Sequence, residues 1–427
     1  MKILLISNNF TKRLGDEIFI VELARYFTKQ HEVHLLTSTT DLSLNEYYNI
    51  PNLIVHKKKI IGRPYWLRAL MNAYLNVKYA RDLKNKFKID IIHSNTWESL
   101  SCDVLVLHSC YRIWLKIANQ ILREESLYPK YLLYKIRRWL LPKNRVFLGV
   151  EKRVLEKGSK KIIVASEFLK RGILENYKVS EEKIVVIPFG VNLNEFKLNP
   201  QKRIETRKKY NIEENDIVLM LSGYEFKRKG LKYIIEALPL VKSNVKVLAV
   251  GEEDPKIYKE LAADLGVLDK VIFTGFVPKI KDYYSTADIF VFPTTYEPFG
   301  ITTLEAMATG LPIIISKTAG SAEILEDGKE GLLLDNPTDS KEIAEKINLL
   351  VNNKDLRKQM GENAYKTAQK YSWTKVAQQI LEVYKKVLSI EKQYGEQKSS
   401  SSKIAIYFPF DFFMPLLSPS ARCLSSL

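Results

Sequence analysis

Short continuous runs of valine, isoleucine and leucine alternate along this chain with longer helical patterns, and that alternation constrains the fold more than any other feature. KILLIS, a helical stretch from about Asp16 to Lys29, and EVHLLTS open the chain as strand, helix, strand, and KIDIIHSN, DVLVLHS, KKIIVAS and KIVVIPFGV continue the series. After the polar, proline-containing stretch NLNEFKLNPQKR a second series begins. It runs through DIVLMLSGY, a helix near Lys232 to Leu238, KVLAVGE, KVIFTGF, DIFVFPT and LPIIIS. Strands that are apolar throughout suit parallel sheets covered by helices on both faces. The 427 residues suffice for two such domains, each of roughly 150–200 residues. The expected fold class is α/β: two doubly wound parallel-sheet domains facing a central cleft, with ligands at the carboxyl ends of the strands.

Composition narrows the class. A hydrophobic fraction of 46% with 27% charged residues is that of a globular protein, not a disordered or membrane-spanning one. The net charge of +17 calls for an anionic partner: nucleic acid, a membrane surface or a phosphorylated ligand. The segment KYLLYKIRRWLLPKNRVFLGVEKRVLEKGSKK, residues 130 to 161, interleaves lysine and arginine with tyrosine, tryptophan and leucine. It reads either as a solvated face of an amphipathic helix or as a helix on an anionic headgroup layer. Without a helix-turn-helix, zinc-finger or RNA-recognition pattern, no nucleic acid partner is expected. Cys102, Cys110 and Cys423 form neither a metal-ligand spacing nor an even disulfide set, which fits a reducing, cytoplasmic compartment. MKILLISNNF reads as a first strand, not a signal peptide.

FPTTYEPFGITTLEAMATGLPIII, residues 292 to 315, concentrates the chemistry. A buried strand ends in a turn carrying Glu297, a helix starts at Gly300, Ile301 and Thr302, and Gly310 and Pro312 stop it. The open amides of a helix N-terminus favour anionic or oxygen-rich ligands. Glu305, one turn further in, stays near the same mouth. Two carboxylates beside a nest of amides suit a ligand with both hydroxyls and phosphates, such as a sugar nucleotide. Taken singly, each glutamate also fits a helix-dipole partner or a turn residue.

EPFGITTLEAMATGLPIIIS resembles the signature of the retaining glycosyltransferases of family four, which have the GT-B fold of two Rossmann-like domains. VASEFLKRGILENYKVSEEKIVVIPFGVN, SGYEFKRKGLKYIIEAL, VIFTGFVPKIKDYYSTADIFVFPT and GSAEILEDGKEGLLLD follow the family's order, so the resemblance runs from Met1 to about Leu388. Within the family the chain is most similar to lipopolysaccharide-core glucosyltransferases. The resemblance implies that Glu297 holds the transferred sugar with the amides of Gly300, Ile301 and Thr302, and that Glu305 binds the nucleotide ribose. It implies that Lys229 and Arg228, after the turn at Gly223, neutralise the donor diphosphate, and that Phe276 and Val277 lie where the backbone reads the base. His108, at the end of VLVLHSC, resembles the family histidine that meets the donor sugar; His93 is a weaker candidate. Two consecutive glycines usually precede the first helix, and this chain has Gly15 alone, followed by Asp16.

The expected boundaries are 1–195 for the acceptor-binding domain, 196–372 for the nucleotide-sugar-binding domain, 373–390 for a helix crossing back to the first, and 391–427 for a polar linker and irregular apolar tail. The expected activity moves a hexose-type sugar, with UDP-sugar favoured as donor, to a saccharide or lipid-linked acceptor of a cell-surface glycan, lipopolysaccharide or capsule-like. The location expected is the inner face of the cytoplasmic membrane, held peripherally. No D-x-D pair exists, so cationic side chains rather than a metal are expected at the diphosphate, and no cofactor. The competing readings are a nucleotide-sugar epimerase of GT-B shape and a non-catalytic basic protein that binds a membrane surface or nucleic acid.

Overall fold

The computed structural model describes residues 1–11, 15–40, 50–59, 63–125 and 142–398. The first series of apolar runs forms β1 (Lys2–Ile6), β2 (Asn9–Phe10), β3 (Glu32–Thr37), β4 (Thr39–Thr40), β5 (Leu53–Lys57), β6 (Ile91–Asn95), β7 (Cys102–Leu107), β8 (Ser159–Val164) and β9 (Ile184–Val186). Seven of these make one sheet in the order β5-β3-β1-β6-β7-β8-β9, all pairs parallel; β2 and β4 pair apart from it. The second series forms β10 (Ile217–Ser222), β11 (Val245–Val250), β12 (Val271–Gly275), β13 (Ile289–Phe292), β14 (Ile313–Ser316) and β15 (Gly331–Leu334). Their parallel sheet has the order β12-β11-β10-β13-β14-β15.

Both sheets therefore reverse direction of winding beside their first strand, between β1 and β6 and between β10 and β13. Neighbouring connections there depart to opposite faces, which leaves a crevice at the carboxyl ends of the strands. The uninterrupted apolar runs are the reason for the buried sheets. Ile3, Leu4, Leu5 and Ile6 of β1 and Ile289, Phe290, Val291 and Phe292 of β13 are all fully buried, each contributing about 1.5–3 kcal/mol.

The two domains are in contact. Phe189 and Phe299 approach to 5.1 Å between ring centroids, and Phe19 of the first domain meets Trp373 at 5.8 Å. Ser166 Oγ donates to the Pro298 carbonyl at 2.6 Å, and the Glu323 carboxylate accepts the amides of Glu167 and Phe168 at 2.7 and 2.6 Å. The helix Trp373–Lys398 packs back on the first domain, and its Tyr384 hydroxyl meets His93 Nδ1 at 2.5 Å. It continues past the expected end at 390, because EKQYGEQK is rich in good helix formers. The tail from 399 onward lies outside the described residues.

Of the basic segment 130–161, residues 130–141 also lie outside the described residues. The helix Pro142–Arg153 turns Val146, Phe147 and Val150 into the first domain's core and leaves Lys143, Lys152 and Arg153 exposed. No helix among the described residues is long and apolar enough to cross a membrane.

Candidate active site

The winding reversal of the second sheet carries the charged half of the site. Gly223 follows β10 with φ +120°, and a side-chain carbon there would come within 2.6 Å of Lys229 Cε. Only glycine lets Lys229 lie across that turn. The short helix Phe226–Lys229 presents Arg228 and Lys229, and the turn after β13 brings Glu297 to both. Arg228 Nη1 donates to Glu297 Oε2 at 2.9 Å and to the Tyr296 carbonyl at 2.6 Å, while Lys229 Nζ reaches the same carboxylate oxygen at 3.3 Å. Lys229 Nζ also lies 4.7 Å above the Phe292 ring.

Electrostatics follows this packing. Burial pushes the Glu297 carboxyl upward, but Arg228 and Lys229 outweigh it and hold the group below the ordinary carboxylate range. Burial lowers the Lys229 ammonium, opposed by Glu297. Burial also works against the Arg228 charge, and the carboxylates of Glu297 and Glu225 more than offset it. The site is thus a carboxylate braced by two cations.

Gly300 opens the helix Ile301–Ala308 with φ +90°, close against Glu297 Cγ and Ser321 Oγ. The first-turn amides of Ile301 and Thr302 are the open donors of that helix end, and the buried Thr302 hydroxyl has no hydrogen-bond partner among the described residues. Glu305 is buried on the same helix and accepts the Tyr284 hydroxyl at 2.8 Å; that hydroxyl in turn meets Ser222 Oγ at 3.0 Å. Burial pushes the Glu305 carboxyl up to about 7, against the Tyr284 hydrogen bond. Phe276 and Val277 follow β12 at the sheet edge; Phe276 is exposed and Val277 packs on the core.

The first domain supplies a neutral wall. His108 directly follows β7, and its Nε2 meets Asn95 Oδ1 at 2.7 Å. The Asn95 amide nitrogen donates to the Asp16 carbonyl and to Ser7 Oγ, so its oxygen faces the imidazole. That arrangement makes Nε2 the protonated nitrogen and leaves Nδ1, buried and without a partner among the described residues, as an acceptor. Burial lowers the His108 pKa to about 3. A side-chain carbon on Gly15 would lie 3.7 Å from Ile301 Cγ2, so the first helix starts opposite the helix Ile301–Ala308. Burial raises the Asp16 pKa. His93 instead sits at 0% exposure inside the domain, bound to Tyr384, and serves the crossing helix.

Between the halves lies a cavity of about 340 Å³. His108, Ser109, Tyr111 and Trp114 line it from the first domain, and Glu225, Arg228, Tyr296, Glu297 and Pro298 from the second. Tyr111 and Trp114 stack 5.6 Å apart at 18°, and the Tyr111 hydroxyl donates to Asn144 Oδ1 at 2.6 Å. The structure places His108, Arg228 and Glu297 on one cavity, with Lys229 bonded to Glu297 behind it. The sequence did not single out Tyr111, Trp114, Tyr284 or Glu225. Of these, the Tyr-x-x-Trp spacing, which puts both rings on one helix face, was the readable signal.

Comparison with known proteins agrees with this architecture. Residues 15–195 match the domain described as Glycosyltransferase Family 4, and residues 202–367 match Glycosyl transferases group 1. The chain belongs to the GT-B glycosyltransferases of group 1 and family four. A relative described as the uncharacterized glycosyltransferase MJ1607 of Methanocaldococcus jannaschii is 28% identical over 90% of this chain and 98% of its own length. The lipopolysaccharide glucosyltransferase WaaG of Escherichia coli is 26% identical over 53% of this chain and 62% of its own. The fold matches a crystal structure of WaaG with a TM-score of 0.71 at 19% identity, covering 90% of this chain and 99% of that one. It also matches Anabaena HepE in complex with UDP and glucose, at TM-score 0.69 and 21% identity, over 90% of this chain and all of that one. This glycosyltransferase therefore has its two domain matches on either side of the cleft that holds Glu297.

Proposed function

We propose that this glycosyltransferase moves a hexose-type sugar, with retention of anomeric configuration, from a nucleotide diphosphate sugar to a saccharide or lipid-linked acceptor of a cell-surface glycan. The observation that carries the reading is the Arg228–Glu297–Lys229 cluster facing His108 and the Tyr111–Trp114 stack across one cavity. The complex of HepE with UDP and glucose and the lipopolysaccharide activity of WaaG support UDP as the nucleotide and a glycan as the product.

As the bond from anomeric carbon to phosphate oxygen breaks, negative charge grows on the leaving diphosphate. Arg228, Lys229 and the amides of Ile301 and Thr302 stabilise it, each contact worth about 3 kcal/mol at most. The acceptor oxygen bonds to the same face of that carbon, and its proton passes to the departing phosphate. Glu297, already ionised by its two cations, orients sugar hydroxyls and balances the positive anomeric carbon. His108 Nδ1 accepts a sugar hydroxyl, and Glu305 holds the ribose. The flat Tyr111–Trp114 pair suits the C–H face of a saccharide ring. The cations replace a metal at the diphosphate, so activity should survive chelation.

The surface supports peripheral attachment to an anionic membrane at the cytoplasmic side. Exposed Lys78, Arg81, Lys143, Lys152 and Arg153 accompany Tyr65 and Tyr74, which are 62% and 50% exposed. Cosedimentation with phosphatidylglycerol vesicles, and not with phosphatidylcholine vesicles, checks this.

The deciding experiment is a thermal-shift panel of UDP, GDP, ADP and their sugar conjugates with excess chelator, repeated with Lys229→Ala and Glu305→Ala. A ligand of the folded state raises the melting temperature according to its affinity. A selective shift by UDP compounds, lost in both variants, is expected. No shift from any nucleotide sinks the reading and leaves a protein whose basic surface is its function.

A further inference from the structure

Glu225 has no part in the roles above, yet its backbone is held in the left-handed region, at φ +60° and ψ +60°. Such a conformation strains a glutamate, and glycine or asparagine would adopt it more readily. The side chain is 59% exposed on the cavity wall, and its Oε2 accepts Arg228 Nε–H at 2.8 Å. An exposed ion pair three residues apart returns little stability, less than the strained backbone costs. Stability therefore does not explain this residue.

The hydrogen bonds of Arg228 do. A guanidinium has five N–H groups in one plane. Nε–H goes to Glu225, and Nη1 serves the Tyr296 carbonyl and Glu297 Oε2. No protein group accepts from Nη2 among the described residues. With Nε and Nη1 both anchored, the rigid fork fixes where the Nη2 edge points. The Glu297 and Glu225 carboxylates on the other edges more than offset the cost of burying the cation.

We propose that Glu225 is a positioning residue for the leaving diphosphate: it clamps the Arg228 guanidinium by Nε so that the Nη2 edge is held for a phosphate oxygen. The proposal rests on the reading of Arg228 as a diphosphate partner. Glu225 itself stays off the phosphates, since two anions in contact repel. The strained backbone is the means by which a residue three positions before Arg228 brings its carboxylate back to Nε.

The test measures UDP released from UDP-glucose by wild type, Glu225→Gln, Glu225→Asp, Arg228→Ala and the Glu225→Gln/Arg228→Ala double variant. Arg228→Ala should lower kcat by about 100-fold. Glu225→Gln should lower kcat by about tenfold with KM changed less than about threefold, and Glu225→Asp should recover part of the loss. In the Arg228→Ala background Glu225→Gln should cost nothing further, because the clamp has nothing left to hold. An undiminished tenfold loss in that background overturns the proposal and makes Glu225 a direct substrate contact. Wild-type turnover by Glu225→Gln reduces it to a surface ion pair. Wild-type turnover by Arg228→Ala overturns the diphosphate reading of Arg228 and this proposal with it, whereas absence of UDP release from the wild type defeats the proposed function first. Glu225→Gly, which removes carboxylate and strain together, should fold at least as stably as wild type while losing kcat like Glu225→Gln.

Discussion

The two walls of the cleft solve different problems. The second domain's wall is charged and preassembled: Glu297 is braced by Arg228 and Lys229 within 3.3 Å, and Arg228 is braced again by Glu225. The first domain's wall is neutral: His108 is held uncharged by burial, and Tyr111 and Trp114 offer ring faces. On the proposed reading, charge is concentrated where a nucleotide diphosphate is gripped and released, and withheld where sugar hydroxyls and C–H faces are met. A substitution on the charged wall should change the chemistry of departure, and one on the neutral wall should change what is accepted.

The largest effect belongs to Glu297. Glu297→Ala should abolish transfer, a loss of about 1000-fold or more, while UDP affinity changes only a few-fold. Removing one partner of a buried ion cluster also strands the others, so the variant should lose about 3 kcal/mol of stability. Steady-state kinetics beside calorimetric titration with UDP measures both. A parallel loss of nucleotide binding and turnover would break the division between the walls, because Glu297 would then be a nucleotide ligand.

Next is His108. Replacement by alanine should lower kcat by about tenfold to 100-fold through one lost hydrogen bond to the sugar. With its pKa near 3, the imidazole is neutral at every working pH, so the pH–rate profile of the wild type should show no histidine ionisation between pH 5 and 8. A step near pH 6.5 that disappears in His108→Ala would place charge on the wall described here as neutral.

Trp114→Ala should leave UDP affinity and UDP-glucose hydrolysis within about twofold of wild type, yet weaken transfer to glycoside acceptors by about tenfold. Equal losses in hydrolysis and transfer would move the aromatic pair from acceptor to donor. That result would sharpen the comparison by giving both walls to one substrate.

How legible these walls were in the sequence differs for a physical reason. Glu297 and Glu305 lie in one short contiguous stretch where strand, turn and helix N-terminus follow one another, so local patterning places them, whereas Lys229 and Arg228 were singled out by the family resemblance of SGYEFKRKG. The apolar runs gave away the two sheets for the same reason: burial on both faces leaves its mark residue by residue. Tyr284, which binds Glu305 from another helix 21 positions away, has no such mark. Tyr296 is harder still, because its ring leaves the second domain to join the first domain's core. The length of the crossing helix was understated because its last turns are polar on all sides, which resembles a linker as much as a helix.

Glu305 shows how burial and function pull apart within the charged wall. Its carboxyl is pushed up to about 7, above the ordinary value of 4.5, so the folded state binds a proton that the unfolded chain releases. The folded state is therefore favoured below pH 4.5, and this contribution is lost as pH rises to 7, beyond which it is constant. Glu305→Gln should remove that dependence and raise the melting temperature at pH 8. On the proposed reading of Glu305 as the ribose partner, ribose hydroxyls donate to the ionised form, so UDP affinity of the wild type should rise between pH 6 and 8, and the variant should show no such rise.

The smallest expected effect lies between the walls, at Glu323. This second-domain carboxylate caps the amides of Glu167 and Phe168, at the start of the first-domain helix Glu167–Asn176, while Ser166 Oγ donates to Pro298 beside Glu297. The carboxylate is 30% exposed, so Glu323→Ala should cost only about 1 kcal/mol, the usual worth of a lost cap. In a chain of this size that is a fall of about 2 °C in melting temperature. Its functional consequence should exceed its thermal one, because the cap is a polar tie between the domain that carries His108 and the domain that carries Glu297. If kcat falls in Glu323→Ala while binding of UDP alone is unchanged, the neutral wall acts only when held against the charged one. If kcat is unchanged, aromatic packing of Phe189 on Phe299 suffices to register the two domains.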